Sequence, residues 1–286
     1  MPDSVLFVGL CTLDVIQLVD RVPAANEKLT ARRQTIAAGG PAANAAVTCS
    51  DLGGRATLLT GIGSHPLTAG IRQDLAAHGV QVRDVDSDRA DSPTVSSIMV
   101  TQSTGERAVV STNAAGRDVL VPDDLDALIA DAAVVELDGH HPALARAAAE
   151  RADDNQILLL DGGSWKPGTE DLLPYLDIAV CSADFHPPGV SGQRDTVKFL
   201  LDGGARYAAI SNGPEPIIWR TWDDSGETTV PAVEVADTLG AGDVLHGALA
   251  YALTRSRSLD TPIFVRALAF AAEVAANSCA SFGTRG

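Results

Sequence analysis

The residues with the clearest chemistry in this chain of 286 residues form one run, Asp237-Thr238-Leu239-Gly240-Ala241-Gly242-Asp243. Apolar residues at helical spacing begin at Ala241 and continue to Leu253, so the glycines stand at the entry to a helix. Without Cβ atoms, Gly240 and Gly242 let the backbone take unusual dihedrals and let a ligand come close. The first N–H groups of a helix have no internal acceptor and lie at the positive end of its dipole, which makes Gly240, Ala241 and Gly242 a candidate anion hole. Asp243 falls in the same first turn, placed to take a proton from a hydroxyl that attacks a phosphate. Phosphoryl transfer needs this set: in-line positioning, charge stabilisation and a modest base. A glycine turn capped by Asp237 would use part of the same run, but two acids bracketing T-x-G-A-G form a more specific pattern.

Such a turn needs a frame to hold it. An extended run rich in Thr, Val and Pro, 227–235, precedes the glycines and predicts a strand that turns into the helix. Upstream, a short apolar strand over Ser4–Leu10 is followed at once by Asp14, near the strand end where α/β sheets gather ligands; a turn or cap aspartate is the other reading. Strand and helix then alternate: 55–62 with 67–78, 133–137 with 142–152, 156–160 with 168–175, and 178–181 with 193–201. A strand at 206–211 leads to an antiparallel pair at 217–222 and 228–233. The alternation predicts an α/β fold, a doubly wound α/β/α sandwich with right-handed crossovers. Segments 15–19, 29–37, 94–101 and 107–112 predict a small β-sheet lid, too small to stand alone, which must pack on the main body or on a second subunit. Gly39-Gly40 enters a helix at Pro41, and Asn44 offers a donor and an acceptor suited to a sugar hydroxyl. Asp138, His140, Asp161, Lys166, Ser182 and Asp184 all follow strand ends and are expected at one cleft. Lys166 is a candidate phosphate contact, and His246 reads as helix packing or a contact behind the site. No Walker A sequence occurs, Pro66 breaks the dinucleotide pattern at Gly61-Ile62-Gly63, and the pair His140-His141 lacks a zinc-ligand spacing.

With these residues in place, the chain resembles the PfkB, or ribokinase-like, family of sugar kinases. The matching segments are Asp237–Asp243, Val8-Gly9-Leu10 with Asp14, the run from Val15 to Pro23, and Gly39-Gly40-Pro41-Ala42-Ala43-Asn44, in the expected order across nearly the whole chain. Leu-Asp-Val-Ile at 13–16 is most similar to ketohexokinase, and Asp-Val-Leu-His-Gly-Ala-Leu-Ala at 243–250 to bacterial kinases of fructose-type and sulfofructose-type sugars. The resemblance implies a single ribokinase-like domain over 1–286, with lid strands from about 15–37 and 94–113. It implies ATP and Mg²⁺ as cofactors, with Asp243 as base. Asp14, Asn26, Gly39, Gly40, Asn44, Arg107 and Asn113 would bind the sugar. Lys166, Asp184, Ser211, Gly213, Thr238, Gly240, Gly242, Asn277 and Gly283 would bind the nucleotide. A monovalent cation, K⁺, is implied near Asp237 and Thr238, and a homodimer through the lid. The sequence departs from the family in Gly213-Pro214-Glu215-Pro216, where proline replaces a second glycine, and at Ser182–Phe185, where Asp184 replaces an Asn-x-x-Glu. The substrate expected is a ketohexose-like sugar phosphorylated on a terminal hydroxymethyl. A nucleoside or aldopentose kinase, and a non-catalytic sensor on the same fold, are the alternatives. Arg107, if turned inward, would suit an anionic sugar.

Composition narrows the partners. The net charge is −16 and lysine occurs only at positions 28, 166 and 198, which argues against nucleic acid or an anionic membrane. No apolar run is long enough to cross a bilayer, and the start has no basic leader region, so a cytoplasmic protein is expected. The 4 cysteines, Cys11, Cys49, Cys181 and Cys279, show no paired spacing and read as buried thiols.

Overall fold

Along the central strands, alternate side chains sort into two cores. Val5, Phe7, Ala56, Leu58, Val134, Leu159, Ile178 and Val180 face one way, and Leu6, Val8, Leu59, Val135, Leu137, Leu158, Leu160 and Ala179 face the other. That period of two, with both faces apolar, requires helices on both sides of the sheet. The computed structural model describes residues 4–256 and 258–285; Met1, Pro2, Asp3, Arg257 and Gly286, including the chain start read above for a leader, lie outside the described residues.

The strands are β1 Ser4–Val8, β2 Thr12–Val19, β3 Arg33–Gly39, β4 Arg55–Thr60, β5 Gln81–Asp84, β6 Val95–Thr101, β7 Arg107–Ser111, β8 Val134–Leu137, β9 Ile157–Gly162, β10 Ile178–Ser182, β11 Tyr207–Asn212, β12 Glu215–Thr221 and β13 Ser225–Thr228. The helices are α1 Pro41–Asp51, α2 Thr68–Ala77, α3 Leu125–Ala130, α4 Pro142–Arg151, α5 Gln193–Asp202, α6 Ala241–Thr254 and α7 Thr261–Ser278. A 9-stranded sheet runs β13-β12-β11-β10-β9-β8-β1-β4-β5. Its pairs are parallel from β5 to β11 and antiparallel at β11–β12–β13. Helices α1, α2, α6 and α7 contribute to one core, and α3, α4 and α5 to the other. From β1 the chain order proceeds to β4 on one side and to β8 on the other, and the crevice at such a reversal is where α/β sheets bind ligands.

The lid is a 4-stranded sheet in the order β3-β2-β6-β7. Ile16, Leu18, Ile98 and Val100 on its inner face pack against Leu239 and Phe282, and Arg33 stacks over the Phe282 ring at 4.9 Å. The main body thus completes the small core that the lid lacks. The opposite face carries Ile36, Val15, Ser97 and Val110 in one cross-strand row.

Three expectations are corrected. Residues 168–175 form two short 3-10 turns, Thr169–Asp171 and Leu173–Tyr175, because Pro174 interrupts any longer helix. The last antiparallel strand stops at Thr228, and 229–240 is irregular, with Pro231 unable to donate to a ladder. The turn into α6 therefore follows a loop, not a strand. Strand β5 and helix α3 were not anticipated.

Candidate active site

Gly240 caps α6 with a left-handed backbone, φ 75°, which a residue with a Cβ rarely adopts. The loop before it is pinned by Asp237, which is buried, with Oδ1 accepting from the Leu239 N–H at 2.9 Å and Oδ2 from the Gly283 N–H at 2.9 Å. Ala236 N–H donates to the Cys279 carbonyl at 2.8 Å, so the glycine turn is stitched to the segment after α7. Ala241 N–H reaches the Thr238 carbonyl at 3.4 Å, while the N–H groups of Gly240, Gly242 and Asp243 meet no acceptor among the described residues. A Cβ at Gly242 would meet open space. Free donors, an open approach and a helix of 14 residues behind them suit a phosphate.

Asp243 is held from α1. Asn44, buried in the first turn after the Gly40 cap, donates through Nδ2 to Asp243 Oδ2 at 2.7 Å. Asp243 also lies near Asp161, a buried residue at the end of β9, and burial together with the Asp161 charge pushes its carboxyl up to about 7. The Asn44 hydrogen bond and His246 oppose that rise, and Asp14 adds to it. A base with this setting is matched to neutral pH. His246 sits one turn along α6, with Nδ1 at 2.8 Å from the Gly242 carbonyl and 3.5 Å from Asp161 Oδ2, and Nε2 at 2.9 Å from the Val180 carbonyl. It locks the first turn of α6 to β10 and β9.

Of the residues expected at the sugar, Asp14 is buried at the base of the lid and accepts from Thr12 Oγ1 at 2.5 Å. Burial raises its carboxyl above the ordinary range, against hydrogen bonds from Thr12 and Ser96 and the charge of Arg285. A Cβ at Gly39 would stand 1.9 Å from Asp14 Oδ2, and one at Gly40, φ 92°, 2.4 Å from the Leu10 carbonyl. Both glycines exist for close approach. Asn26 and Asn113 are exposed on left-handed backbone, φ 62° and 49°. Arg107 donates through Nη1 to the Thr238 hydroxyl at 3.1 Å and carbonyl at 3.4 Å, so it clasps the lid to the loop.

That clasp bears on the expected monovalent cation. Thr238 already faces a fixed guanidinium, and both Asp237 oxygens already accept N–H groups. A cation at Thr238 would have to compete with that guanidinium and share the Asp237 oxygens with their N–H donors. Among the described residues no group of three His, Cys, Asp or Glu side chains is arranged to hold a metal ion.

Of the residues expected at the nucleotide, Lys166, Asp184, Ser211 and Gly213 lie at or past the ends of β9, β10 and β11, and Asn277 and Gly283 at and after the end of α7. Ser211 is half-buried one residue before the end of β11, Gly213 turns with φ 55° into open space, Asn277 is exposed on the last turn of α7, and Gly283, φ 85°, follows it. Lys166 donates to the Ser164 carbonyl at 3.3 Å, and Asp184 is exposed beside Ser182. Asp138, expected at the cleft, is instead consumed as a brace: its oxygens accept from the N–H groups of Leu10 at 2.7 Å, Ala42 at 3.3 Å and His140 at 2.9 Å.

Two residues behind the site escaped the sequence reading. Glu136 on β8 is fully buried with neither oxygen partnered among the described residues, and burial, with Asp161, Asp138 and Asp243 nearby, raises it well above the carboxylate range. A lone acid inside the apolar run Ala132–Leu137 was the available signal. Arg285 reaches Asn44 from beyond α7, and nothing in its local sequence announces that contact.

A family model described as "pfkB family carbohydrate kinase" matches residues 2–286. Among curated proteins, the chain is 24% identical over 291 residues to deoxyribokinase of Salmonella typhi, covering 94% of this chain and 91% of that protein. It is 23% identical to ketohexokinase of Mus musculus, covering 99% and 98%. Among solved structures, ribokinase from Giardia lamblia superposes with a TM-score of 0.83 at 16% identity, covering 98% and 94%. Arabidopsis thaliana ribokinase complexed with ribose and ATP superposes with 0.79 at 22%, covering 99% and 94%.

Proposed function

The chain belongs to the pfkB family of carbohydrate kinases and is an ATP-dependent phosphotransferase; on that premise we propose that it phosphorylates the terminal hydroxymethyl of a ketohexose-like sugar, with Asp243 as the base. The observation that carries the reading is the meeting of Asp243 with the free N–H groups of Gly240 and Gly242 at one helix end. ATP supplies the phosphoryl group, and Mg²⁺ enters with it, since phosphate-bound Mg²⁺ keeps several waters and needs few protein ligands. Asp14, Gly39, Gly40 and Asn44 hold the sugar so that one hydroxyl points at Asp243. That carboxylate takes the hydroxyl proton as the oxygen attacks the γ-phosphorus, the bond to the β,γ-bridging oxygen breaks and ADP leaves, while the N–H groups with the α6 dipole stabilise the charge on the oxygens of the phosphoryl group in transfer. Lys166, Ser211, Gly213, Asn277 and Gly283 line the nucleotide side in this reading. No step is assigned to a monovalent cation.

A terminal hydroxymethyl is favoured because it can extend past Asp14 and Asn44 to Asp243 in line with the transferred group. A pentose is the second reading, favoured by the deoxyribokinase and ribokinase names among relatives of comparable identity. The lid's outer row, with Ile36 at 56% and Val110 at 71% exposure, supports association with a second copy through the lid. A coupled ADP-release screen over neutral ketoses, pentoses, nucleosides and acidic sugars, ranked by kcat/KM, tests the substrate. A pentose or nucleoside at the head of the ranking would displace the ketohexose. Silence across the whole panel with MgATP would favour the sensor instead.

A further inference from the structure

Arg285 turns its guanidinium inward beneath the lid. Nε donates to Asp74 Oδ2 at 3.2 Å, Nη1 to Asn44 Oδ1 at 3.0 Å and to the Thr284 carbonyl at 3.0 Å, and Nη2 to the Ala38 carbonyl at 2.6 Å. A guanidinium has five N–H groups, and these contacts engage four of them. Little capacity remains for an anionic ligand, so Arg285 acts on the protein itself.

Its target is the Asn44 carboxamide, which has a donor end and an acceptor end. With Oδ1 against Arg285, Nδ2 faces Asp243 Oδ2 at 2.7 Å. Turned over, the amide would set its N–H groups against a guanidinium and its oxygen against a carboxylate, exchanging two charge-assisted hydrogen bonds for two repulsive contacts. We propose that Arg285 is a positioning residue for Asp243: by capping Asn44 Oδ1 it fixes the amide donor towards the carboxylate and keeps that carboxylate able to accept a proton. The catalytic consequence rests on Asp243 being the base; the orientation of Asn44 does not.

The surroundings give the orientation weight. Asp161 from β9 and Asp14 from β2 both favour the protonated form of Asp243, and Glu136 from β8 also lies in its field. Asn44 from α1 and His246 from α6 itself pull the other way. On the far side Arg285 faces Asp74 of α2, and its charge reaches Asp14 and the Cys11 thiol. Asp74 also accepts from the Ala38 N–H at 3.0 Å, so the guanidinium is itself fixed by α2 and the end of β3.

The test is a carboxyl ¹³C NMR titration of Asp243 in the ligand-free protein, assigned by its loss in Asp243→Asn. Arg285→Ala is expected to move the midpoint upward by roughly one pH unit. Asn44→Ala moves it likewise, and the double variant moves it no further than Asn44→Ala alone. Arg285→Gln, which returns an amide donor without the charge, recovers part of the shift and serves also if the alanine variant fails to fold. An unmoved midpoint in Arg285→Ala, a shift in Arg285→Gln as large as that in Asn44→Ala, or additive shifts in the double variant overturns the proposal. A lowered Tm with an unmoved midpoint overturns it too, leaving Arg285 a staple only. Because the readout needs no turnover, a wrong assignment of the base would show separately, as an active Asp243→Asn enzyme.

Discussion

Gly247 of α6 lies so close to Ala45 of α1 that a Cβ on the glycine would stand 2.2 Å from the Ala45 carbonyl oxygen. This crossing brings Asn44 within hydrogen-bonding distance of Asp243 four residues before Gly247. Gly247→Ala should separate the helices, destabilise the protein by roughly 1–3 kcal/mol and lower turnover. Thermal unfolding and kcat measured on the same variant check both effects, and an unchanged Tm would show that the crossing has slack.

Asp243→Asn should reduce kcat by about 10²- to 10⁴-fold while leaving Tm and the circular dichroism spectrum in place. Near-normal turnover on the preferred substrate would remove Asp243 as the base.

The pH dependence follows from the setting of the same group. With the Asp243 carboxyl pushed up to about 7, the fraction able to accept a proton grows as pH rises through that value. The kcat/KM profile should therefore have an acid limb near pH 7, reporting the free enzyme. A limb near pH 4 would mean that Asp243 behaves as an ordinary carboxylate.

Glu136 sets a stability trend. Its folded-state value lies above its ordinary one, so across the interval between them the folded state binds more protons than the unfolded chain. Stability is then greatest below the ordinary glutamate range and falls as pH rises towards the folded value. Glu136→Leu, which replaces an unpartnered buried acid beside Phe7 and Leu159, should add about 1–3 kcal/mol near pH 8 and flatten the slope. Denaturant unfolding at pH 5 and pH 8 measures it; a loss of stability at pH 8 would show that Glu136 has a favourable partner.

Since the guanidinium of Arg107 already faces Thr238, turnover should be equal in K⁺ and in tetramethylammonium salts of matched ionic strength. A marked K⁺ requirement would show that the clasp opens to admit the ion.

Much of this was legible in the sequence because the signals are local. The glycines at 240 and 242, the acids at 237 and 243, and Gly39-Gly40 with Asn44 each occupy one turn, where backbone freedom and side-chain type act together. The strand expected over 228–233 failed because its Thr and Val content favours extension but cannot supply a ladder partner. Arg285 could not be found that way: its contacts with Ala38 and Asn44 span separations of 247 and 241 residues, and only the closed fold makes them neighbours.

The bonds from Asp237 to Gly283 and from Asn44 to Arg285 also fix an order of events in biosynthesis. Strands β1 to β11 and helix α1 can pair as they leave the ribosome, but the loop at 237–240 lacks its bonds to Cys279 and Gly283, and Asn44 lacks its guanidinium, until the residues after α7 arrive. Until then the scaffold stands with the proposed centre only partly braced, and its full bracing waits on the segment that follows α7.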